Sequence, residues 1–101
     1  MSSEIRVVAI VQAKPGQAPA VARAIAACVA SSRAEAGCHE YTAHRDREHP
    51  DRFVFVERWA DGDAMAAHER SAHFQALAQA LAPRVQGELQ VLKLEELAAA
   101  P

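Results

Sequence analysis

The strand-forming segments of this chain are apolar on both sides. Val8 and Ile10 alternate with Val7, Ala9 and Val11; Val54 and Val56 oppose Phe53 and Phe55; Leu92 and Leu94 oppose Leu89 and Val91. Successive side chains of a strand point to opposite faces, so a sheet wetted on one face reads as apolar alternating with polar. These segments do not alternate, and both faces of their sheet need a cover. With 101 residues the chain can build one hydrophobic core and not two, which predicts a single domain over residues 1–101. Its own helices can roof one face. The other then requires a second chain, for which a twofold homodimer is the commonest solution.

Local signals divide the chain into six elements. Ile5 to Ala13 reads as a strand closed by the turn Lys14-Pro15-Gly16. A helix starts near Pro19, a residue suited to the first turn, and Val21, Ile25, Cys28, Val29 and Ser32 recur along one of its faces. Alanine fills much of the remainder, and Gly37 is placed to end the helix in the left-handed conformation. Cys38 to His44 is a more polar strand centred on Tyr41, and a charged connection, Arg45 to Asp51, leads to Phe53–Trp59, the clearest strand of all. Asp61 or Asp63 can cap the following helix, which carries Met65 and His68. Ser71 offers a second cap inside it, which predicts a broken helix running on through Phe74, Leu77 and Leu81 until Pro83. Leu89 to Leu97 completes the set as a last strand. The order strand, helix, strand, strand, helix, strand is the split βαβ arrangement. It predicts an α+β, ferredoxin-like fold: a four-stranded antiparallel sheet with its helices on one face.

Composition removes several classes of function. The net charge of −2 is dispersed, with no basic block interleaved with aromatics, which argues against a nucleic-acid partner. No apolar run approaches the ~20 residues of a membrane span. Met1-Ser2-Ser3-Glu4 lacks the basic flank and apolar stretch of a signal peptide, which makes the cytoplasm the expected compartment. The two cysteines, Cys28 and Cys38, have no Cys-x-x-Cys spacing and read as ordinary thiols. His39-Glu40 and His68-Glu69 are followed by His44 and His73 at i+5, where a zinc motif needs i+4. On an unbroken helix that spacing turns the second imidazole ~140° away, so no metal site is expected.

Four blocks carry a resemblance: Ala13-Lys14-Pro15-Gly16, Ser32-Arg33-Ala34-Glu35-Ala36-Gly37-Cys38-His39-Glu40-Tyr41, Glu57-Arg58-Trp59-Ala60-Asp61 and Ala67-His68-Glu69-Arg70-Ser71-Ala72-His73-Phe74. Taken in this order and spacing, they resemble the signature blocks of the antibiotic biosynthesis monooxygenase family, and most of all its quinol monooxygenase branch. The resemblance implies a dimeric α/β barrel with a pocket in each subunit between sheet and helices. It also implies oxygenation of a small aromatic quinol or anthrone by dioxygen with no cofactor. Two departures stand out: Ala36 replaces a common proline, and the chain contains no asparagine, which weakens the link to the haem-binding branches.

The resemblance also suggests that Phe53, Phe55, Glu57 and Trp59 face the helices and line the pocket. Glu57 is then either a satisfied polar group, paired with Arg33 or a backbone amide, or a substrate contact. Trp59 either packs the strand end or forms a wall on which a planar ligand stacks. His68, three residues after Met65 on one helix face, is the first choice for a base, since an imidazole titrates near pH ~6.5. The alternative is a buried histidine that orders the helix break. Tyr41, Phe55, His73 and Arg33 complete the candidate substrate contacts; Tyr41 also suits an edge contact, His73 a structural one, and Arg33 the helix C-terminus. An oxygenase is the leading expectation. Its rivals are an isomerase or other proton-shuttling enzyme, and a non-catalytic dimer that binds a quinone or metabolite.

Overall fold

The computed structural model describes residues 4–101, so Met1 to Ser3, read above as part of a leaderless start, lie outside the described residues. Along the chain run β1 (Ile5–Gln12), α1 (Ala18–Arg33), β2 (Cys38–Arg45), β3 (Arg52–Trp59), α2 (Gly62–Arg70), α3 (Ala72–Leu81) and β4 (Gln90–Leu94). The strands form one four-stranded sheet in the order β2-β3-β1-β4, every neighbouring pair antiparallel. This is the expected ferredoxin-like α+β fold, with the second helix in two pieces.

Register sorts the strand residues by face. β1 pairs Val7 with Glu57, Ala9 with Phe55 and Val11 with Phe53, and all six are buried against the helices. From α1 come Val21, Ile25, Cys28 and Ser32; α2 adds Met65 and His68, and α3 adds Leu77 and Leu81. The opposite face aligns Val8 with Val56 and Leu92, and Ile10 with Val54. Val8, Ile10, Val54 and Val56 are only half-buried there, and Leu92 and Leu94 remain 50% and 43% exposed.

Two strand boundaries and one register differ from expectation, each for a local reason. β1 ends at Gln12, and Ala13 makes an isolated bridge with Val85. β4 is shorter than Leu89–Leu97, because Leu94 already pairs with Arg6, next to the first residue of β1. A bulge between Cys38 and Glu40 lets Cys38 oppose Trp59 and Glu40 oppose Arg58, so His39 drops out of the alternation.

Gly37 is a correction of substance. The glycines with positive φ are Gly16 and Gly87, and α1 instead closes through Ala34, whose N–H donates to the Ala30 carbonyl at 3.1 Å. A Cβ on Gly37 would stand 2.3 Å from the Ala64 Cβ. The glycine is there for clearance beneath α2, not for backbone handedness.

The helix break forms as expected. Asp61 caps α2 by accepting from the Ala64 N–H at 2.8 Å. Ser71, in extended backbone, ends α2 and starts α3: its hydroxyl donates to the His68 carbonyl at 2.6 Å and accepts from the Phe74 N–H at 3.2 Å. One side chain thus serves two helix ends that would otherwise leave backbone groups unpaired. Among the described residues, no helix is long and apolar enough to cross a membrane.

Candidate functional site

The helix-facing side of the sheet and the two short helices enclose a cavity of about 60 Å³, lined by Tyr41, Phe55, Glu57, Met65, His68, Phe74 and neighbouring aliphatic residues. Leu89, just before β4, and Val91 of β4 also border it; both are more than 40% exposed and mark its open side. Its walls are apolar except at Glu57, His68 and Glu69. Each polar group arrives by a separate local rule. Strand alternation brings Glu57 inward beside Tyr41, its partner on β2. Helical spacing turns His68 the same way as Met65.

His68 is 2% exposed and held by aromatic rings on three sides. Trp59 lies 4.5 Å away at 32°, Phe74 meets it edge-on at 5.1 Å, and Tyr41 is tilted at 5.4 Å. Its Nδ1 sits 2.7 Å from Glu35 Oε2. No described residue hydrogen-bonds Nε2, yet no described buried side-chain nitrogen or oxygen lacks a partner. Nε2 is therefore not sealed off, and His68 lines the cavity.

Glu57 accepts a hydrogen bond from the Trp59 indole N–H at 2.9 Å. Burial pushes its carboxyl above the usual glutamate range, against the opposing pull of that N–H and of nearby His68. The Tyr41 hydroxyl donates to Cys28 Sγ at 3.9 Å, and burial pushes it well above the ordinary phenol range, helped by Cys28 and Glu57. Tyr41 thus offers the cavity its ring rather than an ionised oxygen.

The candidate residues separate into two groups. His68, Glu57, Tyr41 and Phe55 border the cavity. Trp59 is 0% exposed and lies behind it, packed at the strand end with its ring against His68. Arg33 ties the end of α1 to β2 by donating from Nε to the Tyr41 carbonyl at 2.9 Å, away from the cavity. His73 is also outside the lining, with Nε2 2.8 Å from Glu35 Oε2.

That last contact overturns the expectation that His68 and His73 diverge. The break at Ser71 resets the helical phase, so both imidazoles meet one carboxylate, and the three ligating atoms lie within 4.8 Å of one another. The oxygen–nitrogen separations of 2.7 and 2.8 Å are those of charge-assisted hydrogen bonds. They are shorter than the spacing of about 3.3 Å between ligands of a tetrahedral zinc ion. Glu35 was not among the sequence candidates. It lies in a turn outside any periodic pattern and is 33 residues from His68; its place in the block Ser32 to Tyr41 was the one sign.

Glu57→Gln follows from the raised carboxyl. A carboxyl whose folded pKa exceeds its unfolded value stabilises the fold below the unfolded pKa and loses that contribution as pH rises through the folded one. The glutamine variant should therefore gain on the wild type as pH rises above the ordinary glutamate value of 4.5, seen as a widening lead in thermal midpoint. A difference that stays constant with pH would show that Glu57 folds without a proton penalty.

Comparison with known proteins agrees with this architecture. A Pseudomonas aeruginosa protein of known crystal structure, PA3566, shares 36% identity and superposes with a TM-score of 0.91, over 97% of this chain and 98% of that one. A crystal structure described as an antibiotic biosynthesis monooxygenase shares 26% identity at a TM-score of 0.89, over 93% and 99% of the two chains. Rv0793 from Mycobacterium tuberculosis, at 23% identity, has the same fold with a TM-score of 0.90 over 98% and 100%. No curated protein matches the chain. Residues 4–80 match the family model described as antibiotic biosynthesis monooxygenase, and the chain belongs to that family.

Proposed function

We propose that the protein is a cofactor-independent oxygenase of a small aromatic quinol or anthrone, with His68 as the base. The observation that supports this most is the placement of His68: anchored through Nδ1 on Glu35, walled by aromatic rings, and lining an apolar cavity with Nε2 left without a partner among the described residues. Glu57, on the strand pair that floors the cavity, is the second polar group placed to contact a substrate oxygen.

The chemistry asked of the chain is limited. Triplet dioxygen reacts slowly with closed-shell molecules, but a deprotonated quinol or anthrone can transfer one electron to it. His68 Nε2 takes the proton, the electron passes from the substrate anion to dioxygen, and the two radicals combine to form a carbon–oxygen bond. His68 returns its proton to the peroxide anion, and loss of the hydrogen on the same carbon then breaks the C–H and O–O bonds together, leaving one oxygen on the substrate as a carbonyl and releasing the other as water. A quinol plus dioxygen gives a hydroxyquinone plus water. An anthrone methylene plus dioxygen gives a carbonyl plus water. The protein contributes positioning, exclusion of water and the proton transfer.

A second copy of the chain completes this reading. One subunit encloses about 60 Å³, while a cavity of about 150 Å³ is needed to hold a benzene ring. The ring must extend past Leu89 and Val91, where β4 is exposed on both faces. A twofold partner on the half-buried valine and isoleucine face would cover Leu92 and Leu94. Light scattering should give twice the chain mass of 10.9 kDa; a monodisperse single-chain mass would remove the dimer.

Oxygen-electrode assays with a panel of hydroquinones and anthrones test the activity. The expected result is one dioxygen consumed per substrate, with a product that has gained one oxygen and lost two hydrogens by mass spectrometry. Tight binding of these compounds without oxygen uptake would replace catalysis with sequestration.

A further inference from the structure

We infer that Glu35 is the positioning residue of this site, the group that sets which nitrogen of His68 can act as a base; the inference rests on the reading of His68 as that base. Oε2 of Glu35 receives two imidazoles at once, Nδ1 of His68 at 2.7 Å and Nε2 of His73 at 2.8 Å. An ionised carboxylate only accepts, so both nitrogens must be the protonated ones. For His68 that leaves the lone pair of neutral imidazole on Nε2, the atom without a partner among the described residues. The other tautomer would aim a lone pair at the carboxylate and an N–H at the substrate, and could not take a proton there.

The surroundings make Glu35 a fixed anchor. Its backbone N–H donates to the Ser32 carbonyl at 3.2 Å and its carbonyl accepts from the Cys38 N–H at 3.0 Å, which hold it in the turn between α1 and β2. Among the described residues both of its ion-pair partners are these histidines, so the carboxylate acts on the imidazole pair. Its side chain is 18% exposed, against 3% for His68, which places it between the enclosed ring and the surface. His73 belongs to this device by restraining the shared oxygen from the far side. When His68 gains the substrate proton, the imidazolium is already hydrogen-bonded to a carboxylate. The same arrangement orients the histidine of serine hydrolases.

Nitrogen-15 NMR of the histidine side chains in the intact protein at a pH where His68 is neutral, with and without Glu35→Ala, tests the assignment without a substrate. The expected wild-type signature is His68 protonated on Nδ1 and bare on Nε2, shifting to a mixture of tautomers in the variant. With a turned-over quinol, Glu35→Ala should lower kcat by about 10²-fold while KM moves less than about threefold, and Glu35→Asp should recover part of the loss. If Glu35→Ala does not fold, Glu35→Gln serves, since it removes the charge and retains the shape. A wild-type His68 protonated on Nε2, or a folded Glu35 variant with unchanged tautomer and kcat, overturns the inference. The expected tautomer in a protein that consumes no oxygen with any substrate upholds the positioning by Glu35 and overturns the oxygenase reading instead.

Discussion

His68→Gln should slow quinol-dependent oxygen consumption by about 10²–10⁴-fold, the range contributed by a positioned general base. Glutamine is the better replacement than alanine because the imidazole also fills space: it lies 4.5 Å from Trp59 and 5.1 Å from Phe74, and emptying that volume would loosen the core as well as remove the base. The amide can keep a hydrogen bond to Glu35 yet cannot accept a proton near neutral pH. The measurement is the initial rate of oxygen uptake at saturating quinol, with thermal unfolding of the same sample to establish that the variant is folded. Raising the pH should restore part of the rate, because a quinol that ionises in solution no longer needs the base. A folded variant within about threefold of wild type would remove His68 from the chemistry and leave it as the histidine that orders the helix break.

Much of this molecule is legible residue by residue, because its elements are set by local rules. Strand parity put Phe53, Phe55, Glu57 and Trp59 on one face, and all four are buried there. A serine within a helical pattern announced the break at Ser71. The site was legible only where it lies on such elements, as Glu57 and His68 do. The part that was not legible depends on distance along the chain. Glu35 meets two histidines 33 and 38 positions later, and no periodicity connects a turn carboxylate to them. The argument from i+5 spacing failed for the same reason: it assumed a continuous helix across Ser71, although the break had been expected. Trp59 shows a different limit. Parity places its ring on the same side as Phe53, Phe55 and Glu57, but parity cannot tell a residue that borders a cavity from one sealed behind His68, which depends on how α2 lies across the sheet.

Gly37 illustrates that distinction, and among the glycines its replacement by alanine meets the closest contact. Its sequence position suggested a left-handed helix end, for which alanine would be strained by handedness. The structure gives another cause: the added Cβ would stand 2.3 Å from the Ala64 Cβ and 3.7 Å from the Ala60 Cβ, while carbon atoms pack at about 3.5–4.0 Å. Neither side can easily retreat. The Gly37 carbonyl accepts from the Ala60 N–H at 2.8 Å, which fixes the turn to the end of β3, and Ala64 belongs to the first turns of α2, pinned by its hydrogen bond to Asp61. Overpacking of this kind costs about 1–3 kcal/mol. It exceeds the gain of about 0.4–1 kcal/mol that alanine brings by restricting the unfolded chain. Gly37→Ala should therefore lower the thermal midpoint by about 4–8 °C for each kcal/mol. Adding Ala64→Gly returns the missing space, so the double variant should be less destabilised than the sum of the two single changes, by a coupling of about 0.5–3 kcal/mol. Additive effects would mean that the two positions do not press on each other. A Gly37→Ala protein as stable as wild type would mean that α2, with His68 on it, rides higher above the sheet than the close packing at Ala64 requires.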